Sequence, residues 1–176
     1  MRVFLLIFLI IYLPLPVNAQ TILTGEVEHT VQSARNELVN SKPQQVDPKL
    51  LLLQLKDNNY IENSSLLLKG NINLTDRIIA KFSDNSYAIM HKDDEYHVWY
   101  YSPSGDLTHY EVKSNLNYPY KSYKYNTQNN LVNMSMRTSK DETFIYTPNG
   151  KLLAHWIKNN GYDENGNLIM TRTYLQ

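Results

Sequence analysis

Read as apolar and polar positions, the chain falls into three unlike stretches. Val3 to Leu13 is an almost unbroken apolar run. Between Glu26 and Asn40, Val27, Val31, Ala34 and Leu38 recur at helical spacing with polar residues between them, which predicts one amphipathic helix with a narrow apolar stripe, ended by Pro43. Asp47-Pro48 then reads as an N-cap with proline at the first helical position. It opens a short helix through Leu50 to Leu55 whose leucines point to nearly every side, with a strand as the alternative. Leu66 to Lys69 is a short apolar piece closed by Gly70.

From Arg77 onward the period shortens. Nine strands are predicted: Ile78 to Phe82, Tyr87 to Met90, Tyr96 to Tyr101, Leu107 to Val112, Tyr120 to Tyr125, Leu131 to Met136, Thr143 to Tyr146, Leu152 to Ile157 and Leu168 to Tyr174. Links this short permit only antiparallel neighbours. The expected fold is therefore mainly β with N-terminal helices (α+β): a helical segment over residues 20–70, then an antiparallel β-meander of hairpins over 71–176 as one twisted sheet, with one or two helices packed on it.

Four times an aromatic, a turn and a leucine stand at fixed spacing: Tyr101 to Leu107, Tyr125 to Leu131, Tyr146 to Leu152 and Tyr162 to Leu168. A three-residue hairpin loop needs one residue in the left-handed region, best Gly and next Asn. Gly105, Asn129, Gly150 and Gly166 hold that place, and Pro103 and Pro148 stand at the first turn position, which proline favours. This spelling pairs Tyr101 with Leu107 and Tyr146 with Leu152, each pair closing its hairpin. Tyr162-Asp163-x-x-Gly166-x-Leu168 resembles the YD repeat of Rhs-type proteins, and the other copies are similar to it at Tyr and at Gly-x-Leu. Only the last copy has Asp after Tyr, and the second replaces Gly with Asn. The resemblance covers residues 96–174 at most and implies a hairpin sheet.

The ends and the composition narrow the function classes. Arg2, the apolar run, Pro14, Pro16 and the small-residue site Val17-Asn18-Ala19 follow the order of an export signal cleaved after Ala19, so a secreted or periplasmic protein is expected. The run is about half of the ~20 residues a bilayer-spanning helix requires, and no membrane span is expected after cleavage. About 157 residues then remain, enough for one domain. Without cysteine, stability rests on packing alone. With 17 acidic and 17 basic residues, the chain lacks the cationic surplus that neutralising phosphates requires, so no nucleic-acid partner is expected.

Candidate chemistry is sparse. If the meander register holds, His97, His109 and Glu111 share a face with His97 opposite Glu111, a polar cluster that reads first as ordinary cross-strand pairing. No metal site, cofactor or catalytic residue is expected. The 14 tyrosines are the stronger feature, because Tyr and Trp offer wide contact area with a polar tip. Trp99, Tyr101, Tyr123, Tyr125, Phe144, Tyr146 and Trp156 should lie on the face carrying the Tyr–Leu pairs, with Tyr100 and Tyr110 on the other. The first expectation is a non-enzymatic domain that uses Trp99, Tyr101, Tyr123, Tyr125, Tyr146 and Trp156 to bind a polysaccharide or an envelope protein. The alternatives are a small exported hydrolase in which His97, His109, Glu111 and His155 converge, or a piece of an envelope assembly joined through an unpaired strand edge.

Overall fold

The computed structural model describes residues 25–43 and 75–175. The export signal, the second helix and the Leu66–Lys69 piece lie outside the described residues. The first helix, α1 (Gly25–Asn40), forms as its spacing predicts, and ten strands follow: β1 (Arg77–Phe82), β2 (Tyr87–His91), β3 (Asp94–Tyr101), β4 (Leu107–Lys113), β5 (Tyr120–Asn126), β6 (Leu131–Ser139), β7 (Glu142–Tyr146), β8 (Leu152–Ile157), β9 (Asn160–Tyr162) and β10 (Leu168–Leu175). All nine expected strands are present. The unexpected one, β9, is three residues long with Gly161 at its centre, too short to show an alternation.

Each strand pairs antiparallel with the next, and β10 returns to pair with β1, Ala80 opposite Tyr174 and Phe82 opposite Arg172. The sheet is thus a closed ten-stranded barrel rather than the single twisted sheet expected. Closure leaves no strand edge unpaired among the described strands, which removes the basis for an assembly role through edge pairing.

The repeats account for the closure. Tyr101 faces Leu107, Tyr125 faces Leu131, Tyr146 faces Leu152 and Tyr162 faces Leu168, as the turn spelling requires. Gly105, Asn129, Gly150 and Gly166 all have positive φ. In the first copy Ser102 N–H donates to Asp106 C=O and Gly105 N–H to Ser102 C=O, both at 2.9 Å, and the other three copies repeat the pattern. One step inside each turn the register slips: Tyr100 faces His109, Lys124 faces Asn133, Ile145 faces Ala154 and Gly161 faces Met170. Thr108, Val132, Leu153 and Ile169 are therefore the extra residues of four β-bulges at one position of the repeat. A bulge bends its strand and sharpens the twist. Four of them in series curl the meander until its ends meet.

The same slips reassign faces. His97 lies opposite Val112, and Val98 takes the place opposite Glu111 that was expected for His97. Tyr110 joins Trp99 on one face, and Trp156 leaves it. Trp99, Tyr101, Tyr110, Tyr123, Tyr125, Phe144 and Tyr146 form the outer face of the barrel wall and, with Ala34 and Leu38 of α1, one buried core. The helix lies over β6 and β7. Tyr146 Oη donates to Val31 C=O at 2.6 Å, Arg35 Nε donates to Gly150 C=O at 2.7 Å, and Lys121 pairs with Glu37 at 3.0 Å. The fully buried Leu38 is the central apolar anchor of this docking; burying one leucine contributes roughly 1.5–3 kcal/mol.

A candidate ligand site in the barrel lumen

The inward face is read from the alternate residues of each strand. Rings from strands that are not neighbours meet there: Phe82 of β1 stands 6.0 Å from Trp156 of β8, with β9 and β10 between them in the sheet. Only the concave side of a closed wall permits that contact. The cavity it encloses measures about 1020 Å³ and is lined by residues of every strand except β9. Small residues keep it open, notably Ala80, Ala88, Ser122, Ser135 and Ala154.

The wall is divided. On β7, β8, β10 and β1 to β3 it is mainly apolar, with Ile145, Trp156, Met170, Phe82, Met90 and Val98. On β4 to β6 it is polar. Glu111 anchors that side: Tyr100 Oη donates to its Oε2 at 2.5 Å, Ser122 Oγ donates to its Oε1, and Ser122 Oγ stands 2.5 Å from Ser135 Oγ. Lys124 Nζ sits 3.3 Å from the centroid of the Tyr100 ring. Burial, then the adjacent Glu111 carboxylate, pushes the Tyr100 phenol well above its ordinary pKa. Burial also lowers the Lys124 and Lys113 ammonium groups, although Glu111 opposes the change in both.

Lys113 at the end of β4, Tyr120 at the start of β5 and Arg137 toward the end of β6 stand away from the four repeat turns. Lys113 Nζ donates to Glu95 C=O at 2.6 Å. Arg137 donates to Ser139 C=O, Lys140 C=O and Tyr120 Oη, at 3.2, 2.7 and 3.3 Å. Arg172 on β10 packs its guanidinium 4.9 Å from the Trp156 ring and 5.5 Å from Tyr174. Its buried Nε has no hydrogen-bond partner among the described residues. The strands thus bring four cations, Lys113, Lys124, Arg137 and Arg172, and one carboxylate, Glu111, into the lumen; turn residues Asp84 and Lys140 add one charge of each sign.

The residues singled out from sequence are distributed otherwise than expected. Trp99, Tyr101, Tyr123, Tyr125 and Tyr146 retain between 0% and 7% exposure in the core, so they present no strip to a polymer. Of that set the cavity lining includes Tyr101 and Trp156, and Trp156 turns inward because the bulge at Leu153 reverses the alternation of β8. His97 stacks on Trp99 outside and meets Asp94 Oδ2 at 2.7 Å, whereas His109 and Glu111 face inward. His155 is also outside, 3.1 Å from Glu142 and stacked on Phe144. The four residues of the hydrolase reading are split between the two sides of the wall. Lys113, Lys124, Arg137 and Arg172 were missed; their signal was the repeated appearance of a cation at an inward position, legible only once the bulges are counted. Among the described residues no cluster of three or more His, Asp or Glu could hold a metal ion, and no helix is long and apolar enough to cross a membrane.

No protein-family model, curated protein or solved structure matches the chain.

Proposed function

We propose that the protein is an exported, non-enzymatic binding protein that takes a small amphiphilic molecule into the lumen of its barrel. The observation that carries this reading is the cavity itself: about 1020 Å³, lined by nine strands, apolar on one side and polar on the other. A fully packed barrel would hold large side chains at these positions; here alanine and serine recur instead, and rings line the space without filling it. Small-ligand sites are concave, mostly apolar and furnished with a few placed polar groups, and closed barrels of about eight strands or more have room for one such ligand. Export agrees with the signal expected at Met1 to Ala19. The aromatic binding surface expected from the tyrosine content is thereby relocated from an exposed sheet face to the inside of the wall.

The test is titration of the purified protein with the neutral fluorophore N-phenyl-1-naphthylamine. Saturable one-site binding with energy transfer from Trp156 is expected. Ala88→Trp, which places an indole in the lumen, should abolish it while the protein still unfolds cooperatively. Fluorophore binding that Ala88→Trp leaves unaltered, or no saturation at all, would sink the reading.

A further inference from the structure

We infer that the lumen ligand is an anion, a carboxylate, sulfonate or phosphate on an apolar body, with its charged head between Lys113 and Arg137 and its body along the apolar wall. The inference rests on the lumen reading and adds the ligand's charge and orientation.

The four strand-borne cations share the lumen with one strand-borne carboxylate, Glu111. Lys124 stands over the Tyr100 ring and beside Glu111, and Arg172 lies between Trp156 and Tyr174. Arg172 also donates to a neutral acceptor, Lys158 C=O at 2.8 Å; Lys113 and Arg137 are set apart by standing close enough for each to feel the other's charge. Their hydrogen-bond acceptors are neutral: the Glu95, Ser139 and Lys140 carbonyls, the Met90 sulfur and the Tyr120 hydroxyl. The ion pairs among the described residues include Arg77–Asp76, His97–Asp94, Lys121–Glu37, Lys151–Glu164 and His155–Glu142, and none of these takes in a lumen cation.

Lys113 is 8% exposed. The fields of Glu111, Glu95 and Asp94 offset part of the cost of burying that charge while Arg137 adds to it, and an anion entering between the two cations recovers more of it. Both oxygens of Glu111 accept from hydroxyl donors, and among the described residues the carboxylate makes no ion pair with Lys113 or Arg137. Tyr118 and Tyr120 frame the same end, the Tyr118 ring 5.6 Å from the Arg137 guanidinium and the Tyr120 ring 5.9 Å from Lys113 Nζ. An anion there meets a fixed guanidinium and a phenol, with Met90, Val98 and Phe82 extending the contact for its body.

The experiment compares three probes with the same ten-carbon chain, decanoate, decanol and decyltrimethylammonium, by calorimetric titration of the purified protein below their aggregation concentrations. Decanoate should bind at least about ten times more tightly than decanol, and the cation most weakly, as pairing with desolvated cations requires. Arg137→Gln should remove at least about tenfold of the decanoate affinity and leave decanol within about twofold. Should that variant fail to fold, the three-probe comparison on the unaltered protein decides alone. Equal affinity for decanoate and decanol, or preference for the cation, overturns the inference and leaves the lumen reading standing; binding of none of the three overturns both.

Discussion

Phe82 and Trp156 meet edge to face at 6.0 Å across a barrel interior that separates their strands by two others. The contact holds β1 to β8 from the inside, where backbone pairing does not reach. It also fixes Trp156, the single tryptophan of the lumen, between Phe82, the Arg172 guanidinium and the backbone of Gly161.

Gly161 follows from that placement. A Cβ there would stand 2.8 Å from the Trp156 ring, so Gly161→Ala forces the indole into the lumen. Overpacking of this kind costs roughly 1–3 kcal/mol. Urea unfolding should show the loss, and Trp156→Leu in the same chain should recover most of it. A neutral Gly161→Ala would mean that the ring is free to move.

Asn129 stands where the other repeats have glycine, and its side chain explains the exception: Tyr110 Oη donates to Asn129 Oδ1 at 2.6 Å. Asn129→Gly relaxes a left-handed backbone and forfeits the hydrogen bond, a contribution of about 0.5–1.5 kcal/mol. A double-mutant cycle with Tyr110→Phe should return a coupling of that order; additive effects would show the bond to be energetically idle.

Docking of α1 rests on Leu38, with no exposed surface. Leu38→Ala should destabilise by about 2–5 kcal/mol, whereas Tyr146→Phe, which removes only the donor to Val31 C=O, should cost about 1 kcal/mol. Thermal unfolding of the two variants checks the order; a larger loss from Tyr146→Phe would contradict it.

Acid should weaken the fold. His91, His109 and His155 all lie below the ordinary value of 6.5, burial being the first cause in each; Arg77 adds to it at His91 and Lys124 at His109, while Glu142 opposes it at His155. The unfolded chain therefore binds protons at a pH where the folded one does not. Stability is complete above the ordinary histidine value and declines as pH falls through it. The urea midpoint should drop between about pH 7.5 and about 5.5, and His109→Gln should lessen the drop. A flat profile would contradict this assignment.

Much of the fold was legible because the hairpin turn has a strict spelling. The glycines and Asn129 announced a left-handed residue, and the Tyr–Leu pairing followed by counting. The bulge does not announce itself, because Thr108, Val132, Leu153 and Ile169 share no chemistry that marks them as unpaired. One uncounted residue reverses every later alternation of its strand, which is how Trp156 and Glu111 were set on the wrong sides. The ring-rich face was visible as composition, but whether a face looks outward or encloses a space depends on curvature summed over ten strands. The lumen cations were hidden for the same reason.

The turn-and-bulge unit also sets how the molecule can change size. Strands enter the wall in pairs, so gaining or losing one repeat alters the circumference by two strands at once, and barrel diameter grows roughly linearly with strand number. Ligand capacity is then stepped rather than continuous. A chain of this design adapts to a larger or smaller guest either by counting hairpins or, between steps, by trading the alanines and serines of its inner wall.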